Sequence, residues 1–197
     1  MENDREAEVR GVCEASDIVI AVMGMDATLE GEEGDTGNEY GSGDKPTLAL
    51  PGLQHNILKV AKECGKPVIL VCLTGSAMSL TWEEENLDAI LQGWYPGAQG
   101  GKAIAKILFG ESNPQGKLPV TFYRTTEELP DFEDYSMKGR TYRYMTNEPL
   151  YPFGYGLSYT TYAYSEAAFL EETPDVNAGV QIGFTVTNTG KREGTET

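Results

Sequence analysis

The chain has 197 residues, of which 31 are acidic and 15 basic, so its formal net charge at pH 7 is −16. Charge of this sign repels nucleic-acid phosphates and argues against a nucleic-acid partner. A hydrophobic content of 40% suits a folded core and argues against a wholly disordered chain. The apolar runs are much shorter than the roughly 20 residues that cross a bilayer, so we expect no membrane partner.

The three cysteines, Cys13, Cys64 and Cys72, have neither the even number of a disulfide framework nor the C-x-x-C spacing of a zinc site. We interpret them as small buried apolar residues in a reducing compartment. Met1 leads into a charged stretch rather than the basic and apolar regions of a leader. These features predict a cytoplasmic chain, unless sequence upstream of Met1 sets another compartment.

The first half of the chain alternates predicted helices and strands. Residues 6–14 have apolar side chains at helical spacing, and residues 17–24 form a nearly continuous apolar run that indicates a strand buried on both faces. A second helix is predicted over residues 53–64, ended by Gly65, and a second buried strand over residues 68–73.

The pattern repeats once more, with a strand within residues 87–97, a tight glycine turn at 97–101 and a helix ending at Gly110. The alternation predicts a layered α/β sandwich with a mostly parallel sheet flanked by helices. A further short strand is predicted at 118–123, where Pro119 restricts it to an edge or a strand end. Residues 130–164 are rich in Tyr, Pro and Gly and predict a long ordered loop packed by its aromatic side chains.

The end of the chain has the alternation of a half-buried strand. Val180, Ile182, Phe184 and Val186 alternate with polar residues and lead to a turn at 188–190, which predicts the first hairpin of a β-sandwich. A lone hairpin is marginally stable in water. We therefore expect the chain to be a fragment of a longer protein.

An acidic, glycine-rich segment follows the first predicted strand, at the sheet edge where α/β proteins bind ligands. Its carboxylates are Asp26, Glu30, Glu32, Glu33, Asp35, Glu39 and Asp44. Crowding and partial burial raise the pKa of the most enclosed carboxylate, as a general acid requires. A solvated acidic loop is the alternative interpretation, and a calcium site is a minor one because the D-x-[DN]-x-[DN]-G spacing does not occur.

The remaining candidates are weaker. His55 lies off the apolar stripe of its predicted helix, which indicates a surface residue rather than a general base. The turn at 97–101 could bind an anion through its amides, but close packing of helix on strand explains its glycines better. The aromatic side chains could stack on sugars or pack in the core; they are Trp82, Trp94, Tyr95 and the tyrosines from Tyr135 to Tyr164.

Five blocks, in order, resemble the carboxyl-terminal α/β domain of glycoside hydrolase family 3. They are LEGEEGD, GDKPTLALPGLQ, WYPGAQGGKAIAKILFGESNPQGKLPVTFY, FEDYSMKGRTYRY and EPLYPFGYGLSYT. The final TVTNTGKREGTE resembles the first strands of the fibronectin type III-like domain that follows in many members. The resemblance implies an α/β-sandwich domain over residues 1–162 and an incomplete fibronectin type III-like domain over residues 163–197.

The resemblance implies retaining hydrolysis of terminal β-D-glycosides without a cofactor. In the family, an aspartate on a separate amino-terminal (β/α)8 barrel attacks the sugar, and a glutamate on this domain protonates the leaving oxygen. The family pattern E-x-E-G-x-D-R places that glutamate at Glu32, with Asp44 and Lys45 in the place of its Asp-Arg pair in the substrate site. Glu33 stands where glycine is usual, and a glycine-rich insertion precedes Asp44, so Glu30 and Glu33 stay alternatives.

Nothing in the sequence resembles the barrel or its nucleophile segment. We therefore expect the chain alone to be inactive and to need a barrel partner as well as a β-linked xyloside or glucoside. The blocks do not choose between those two sugars. The alternative hypothesis is a carbohydrate-binding or scaffold module that keeps the fold without the chemistry.

Overall fold

The computed structural model describes residues 5–26, 28–31, 43–171, 177 and 179–197. The chain forms two compact units, one of Met1–Ile104 with Leu118–Gly154 and one of Ala105–Lys117 with Tyr155–Thr197. The domain boundary at residues 162 and 163 that the sequence indicates stays a prediction.

The first unit contains a parallel three-stranded sheet in the order β1-β2-β3. Its elements are α1 Glu6–Glu14, β1 Val19–Gly24, α2 Gln54–Glu63, β2 Val68–Leu73, α3 Thr81–Asn86, β3 Ala89–Gln92 and the start of α4 Gly100–Leu108. Helix α2 packs on β1 and β2, and α1 packs on α2. The predicted α/β layering is confirmed, and α3 is an addition to it.

The middle strand β2 carries the core of this unit. Val68, Leu70, Val71 and Cys72 are fully buried, as the continuous apolar run predicts for a strand covered on both faces. Leu58 of α2 is also fully buried. The sheet is therefore anchored at its centre.

The prediction that β1 is buried on both faces is wrong. Ile20 and Val22 are about half exposed, whereas Ala21 between them is buried. Within the described residues β1 pairs only with β2, so it forms an edge of the sheet. The face of β1 that carries Ile20 and Val22 is also largely uncovered. An apolar run reports that a strand prefers burial, but its position in the sheet decides how much burial it obtains.

This difference in burial predicts different costs for two equivalent substitutions. Val71 is fully buried and Val22, its register partner, is 59% exposed. We expect Val71→Ala to lower the free energy of unfolding by about 1.5–3 kcal/mol. Val22→Ala should change it by less than about 0.5 kcal/mol. Urea denaturation of both variants measures the difference, and equal losses would contradict the burial described for β1.

The predicted strand at 118–123 is also wrong. Phe122 forms only an isolated antiparallel bridge with Tyr151, through bonds to the backbone of Tyr151 and Leu150. The aromatic segment after it is more structured than predicted, because it contains the short helix α5, Thr141–Tyr144. Tyr142 stacks on Phe153 with ring centroids 4.7 Å apart.

The second unit contains a long antiparallel ribbon, so the predicted hairpin is present but its arms differ. Strands β4 Tyr162–Tyr164 and β5 Ala168–Phe169 form one arm, and β6 Ile182–Gly183 and β7 Val186–Asn188 form the other. β4 pairs with β7, and β5 pairs with β6. Three residues oppose two between these pairings, which is a bulge. The predicted turn at 188–190 lies beyond the second arm rather than between the arms.

Candidate functional site

Polar residues gather where the strands of the first unit end. The segment at 25–30 follows β1, the segment at 74–78 follows β2, and Gln92 ends β3. Parallel strands bring their carboxyl ends to one sheet edge, the usual place for a ligand in this architecture. The acidic segment identified in the sequence begins at this edge.

The end of β1 is held by a side chain of α2. The Gln54 amide donates to the Gly24 carbonyl and accepts from the Gly24 N–H, both at 2.7 Å. Gly24 has φ +142°, and a Cβ there would lie 1.8 Å from the Leu73 carbonyl oxygen. Only glycine fits this position, so the acidic segment starts from a fixed point. Sequence reasoning missed Gln54, although it ends the block GDKPTLALPGLQ.

Asp26 forms the turn that follows. Its carboxylate accepts hydrogen bonds from the Thr28 N–H at 2.9 Å and the Thr28 hydroxyl at 2.6 Å. The hydroxyl and then the amide of Thr28 lower the pKa of Asp26. The Asp26 carbonyl also accepts from the Glu30 N–H at 3.1 Å. Asp26 therefore positions Glu30 and does not have the raised pKa of a general acid.

The Glu30 carboxylate lies beside a serine and a lysine from two other segments. Its Oε2 accepts a hydrogen bond from the Ser76 hydroxyl at 2.8 Å and lies 3.9 Å from Lys45 Nζ. The Lys45 ammonium donates to Ser76 Oγ at 2.6 Å. Glu30, Lys45 and Ser76 form a connected group, hereafter the Lys45 cluster.

The Lys45 side chain is more enclosed than that of Glu30. It is 9% exposed, and Nζ also donates to the Ala77 carbonyl at 2.8 Å and contacts Met78 Sδ at 3.4 Å. Burial lowers the pKa of Lys45, and the charge of Glu30 opposes that effect. The three donors of the ammonium are used within the protein. Lys45 thus connects the start of the block GDKPTLALPGLQ to the segment that follows β2.

In the sequence, Glu32 and Glu33 come directly after Gly31, which forms a backbone hydrogen bond with Gly43. The Gly31 N–H donates to the Gly43 carbonyl at 2.7 Å, so the residues on either side of the insertion are held together. Asp44 is exposed next to this contact. The candidates Glu32 and Glu33 lie outside the described residues, as do Asp35 and Glu39.

The interpretation of His55 as a simple surface residue is incomplete. Its Nδ1 lies 2.7 Å from Oε1 of Glu83, whose side chain is only 3% exposed. The ring also meets Trp82 edge-on, with centroids 5.2 Å apart. His55 is the hydrogen-bond partner of a buried carboxylate, which is a structural role.

The candidate sugar-stacking residues divide by exposure. Trp82 and Trp94 are partly buried against the core, and Trp94 meets Phe122 edge-on at 6.1 Å. Tyr95 and Tyr135 are exposed. The same holds for Tyr142, Tyr144, Tyr155, Tyr159 and Tyr164. These tyrosines are therefore more accessible to a ligand than the two tryptophans.

Gly97 and Gly100 of the turn at 97–101 are required locally, and the predicted packing of helix on strand is not what limits them. A Cβ on Gly100 would lie 2.4 Å from Cγ of Pro96, and Gly97 has φ +68°. Among the residues described, no three His, Cys, Asp or Glu side chains come together as metal ligands. No helix in the same ranges has the length and apolar character to cross a bilayer.

The profile of the "Glycosyl hydrolase family 3 C-terminal domain" matches residues 2–159. The chain belongs to glycoside hydrolase family 3. It is 51% identical to a xylan 1,4-β-xylosidase from Xylanibacter ruminicola and 37% identical to a periplasmic β-glucosidase from Salmonella typhimurium, over 91% of this chain in both cases. A solved β-glucosidase from Erythrobacter marinus is 34% identical over 96% of this chain, with a TM-score of 0.79.

The chain spans only about a quarter of the length of these relatives. It covers 21% of the xylosidase, 24% of the periplasmic β-glucosidase and 25% of the solved β-glucosidase. The resemblance stated from the five blocks is confirmed, and this chain corresponds to one portion of each relative.

Proposed function

We propose that this chain supplies the acid/base domain of a retaining β-glycosidase that acts on terminal β-xylosides or β-glucosides. Its partner would be an amino-terminal (β/α)8 barrel that carries the nucleophile. The 51% identity to a xylan 1,4-β-xylosidase is the observation that carries this proposal. It also makes a β-xyloside the first substrate to test, ahead of the glucoside suggested by the relative at 37% identity.

The proposed reaction needs two carboxyl groups about 5–5.5 Å apart. The barrel aspartate attacks the anomeric carbon while a glutamic acid of this chain gives its proton to the leaving oxygen. The resulting glutamate then takes a proton from the water that releases the sugar. In this proposal the chain holds one catalytic carboxyl group at the edge of the sheet where its parallel strands end.

Glu32 is the proposed acid/base. It directly follows Gly31, whose N–H donates a hydrogen bond to the Gly43 carbonyl beside the Lys45 cluster. In this cluster Glu30 accepts from Ser76 and faces the Lys45 ammonium. These contacts hold the Glu30 carboxylate within the protein and support an anchoring role. Glu33 and Glu30 are kept as alternatives in the experiments below.

Lys45 is proposed as a positioning residue rather than a direct ligand of the sugar. All its donors are occupied by the protein, and its side chain is nearly enclosed. Asp44, which is exposed, is the better candidate for a substrate hydroxyl. Both roles follow from their place beside the Gly31–Gly43 contact.

Hydrolysis assays test the proposal directly. We expect this chain alone to leave aryl β-xyloside and aryl β-glucoside intact, because it has only the acid/base half of the site. Mixing it with a separately produced family 3 barrel domain, hereafter the two-part enzyme, should release the aryl alcohol, faster from the xyloside. The barrel alone is the control.

Two results would contradict this account. Activity of the chain without the barrel would require a nucleophile within these residues. Tight binding of xylo-oligosaccharides by the chain alone, with no activity on mixing, would instead support a carbohydrate-binding module.

A further inference from the structure

Two of the three cysteines lie at the carboxyl ends of two helices that pack on each other in the first unit. Cys13 is in the last turn of α1, and Cys64 caps the carboxyl end of α2. Cys13 is buried in the core cluster, and Cys64 is partly buried against the same cluster. Burial raises the pKa of Cys13, and direct interaction with the Cys64 thiol adds to that rise. The helix ends therefore present two neighbouring thiols.

The packing of α1 on α2 fixes this arrangement. Arg10 Nη2 donates to Oε2 of Glu63 at 2.6 Å, which joins the two helices next to the cysteines. Arg10 is three residues before Cys13 and lies on the same side of α1, and Glu63 immediately precedes Cys64. Val9, one turn before Cys13, packs against the same core.

We propose that Cys13 and Cys64 form a reversible disulfide when the protein meets a low-molecular-weight disulfide such as oxidised glutathione. The partly exposed Cys64 reacts first, and its thiolate attacks one glutathione sulfur. The glutathione S–S bond breaks, and one glutathione thiolate leaves. The Cys13 thiolate then attacks the Cys64 sulfur of the mixed disulfide and expels the second glutathione.

The exchange is balanced in atoms and electrons. The two protein thiols lose two electrons and two protons, and one oxidised glutathione becomes two glutathione thiols. The new bond joins α1 to α2 and closes the chain between residues 13 and 64, which includes β1 and the acidic segment. Oxidation would therefore stabilise the part of the fold that holds the proposed acid/base.

Cys72 provides an internal control. It is fully buried on β2, and burial raises its pKa to about 11. Glutathione cannot reach a fully buried thiol, so Cys72 should not react in the folded protein. Cys13 is also buried, but in the proposed exchange it attacks only Cys64 and never meets glutathione directly.

The experiment treats the reduced full chain with oxidised glutathione at pH 8, stops the exchange with acid and removes the glutathione. The remaining thiols are then alkylated with excess N-ethylmaleimide in denaturant near neutral pH, where thiols react. Mass spectrometry should show one alkylated cysteine in the wild type and none in Cys72→Ala. Cys13→Ser should retain glutathione on Cys64, and Cys64→Ser should form no bond within the chain. The melting temperature of the oxidised wild type should rise by roughly 5–10 °C, reversed by dithiothreitol.

Several results would overturn the proposal. Three alkylated cysteines in the oxidised wild type would show that no bond forms. Stable glutathione on Cys64 in the wild type would show that Cys13 does not reach it. A bond that uses Cys72, or one that joins two chains, would contradict the side-by-side arrangement. The wild type and Cys72→Ala decide the matter even if a serine variant does not fold.

Discussion

Replacing Glu32 with glutamine is expected to slow hydrolysis of xylobiose by the two-part enzyme by about 10²–10⁴-fold. Glutamine keeps the shape of the side chain but has no proton to give to the leaving sugar. An aryl β-xyloside with a nitrophenolate leaving group needs little protonation, so its glycosylation step should be affected much less. The measurement is kcat/KM on both substrates for the wild type and Glu32→Gln.

Rescue by azide is a second test of the Glu32→Gln variant. Without the base, the glycosyl-enzyme intermediate reacts slowly with water, and azide needs no base to attack it. We expect added azide to restore turnover of the aryl xyloside and to yield a glycosyl azide of retained configuration. Equal losses on both substrates, without rescue, would remove the acid/base role from Glu32.

Glu30→Gln and Glu33→Gln are the matched controls, since each makes the same chemical change within three residues. Glu30 contacts Ser76 and lies near Lys45, so Glu30→Gln should lower activity on both substrates together and show no azide rescue. Glu33→Gln should have the smallest effect. Leaving-group dependence and azide rescue in either variant would move the proton donor to that residue.

Most of the first unit could be predicted from local patterns. The helical spacing before residue 14 and the apolar run at Val68–Leu73 correspond to α1 and β2 as the structure has them. Such patterns reflect which side chains prefer burial. They do not report strand order, so the half-exposed face of the edge strand β1 was not predictable from its own sequence.

Pairings between distant residues were also out of reach. The alternation around Ile182 indicates a strand, but its partner Phe169 precedes it in the chain, whereas the predicted hairpin places the partner after the turn at 188–190. Cys13 and Cys64 are 51 positions apart (64 − 13) and meet only because α1 packs on α2. Spacing rules for cysteines detect pairs that are close in the sequence. They give no information on cysteines that are brought together by the packing of two helices.

In the candidate site, too, some features were predictable from local sequence and others depend on contacts that only the fold creates. The crowding of carboxylates after β1 was visible in the sequence, and so was its place at a ligand-binding edge. The residues that hold this segment come from elsewhere: Gln54 of α2 fixes Gly24, and Ser76 after β2 holds Glu30. Ordinary polar residues carry no signal of such a role until the fold places them.

Lys45→Met is expected to lower the free energy of unfolding by about 1–3 kcal/mol near neutral pH. Methionine keeps an unbranched apolar stem of similar length but removes the ammonium. The Ala77 carbonyl then loses its donor, and the Glu30 carboxylate loses the nearby positive charge. Lys102→Met, at an exposed position of α4, is the matched control and should change stability by less than about 0.5 kcal/mol.

The Lys45 variant also has a predicted pH dependence. Burial lowers the pKa of Lys45 in the folded protein below its ordinary value of 10.5. Between these two values the unfolded chain binds more protons at this position than the folded chain, so this residue makes stability rise with pH in that window. Below the window its contribution is constant. Lys45→Met lacks this rise, so the stability lost by the substitution should grow as pH approaches 10.5.

Urea denaturation of the wild type, Lys45→Met and Lys102→Met at several pH values up to 10.5 measures this effect. The difference between the wild type and Lys45→Met should increase through the alkaline range, and Lys102→Met shows the effect of removing an exposed lysine. A flat difference for Lys45→Met would mean that Lys45 titrates alike in the folded and unfolded chains. In that case the ammonium is not enclosed by Ser76, Ala77 and Glu30, and the proposed positioning of the acidic segment would have to be abandoned.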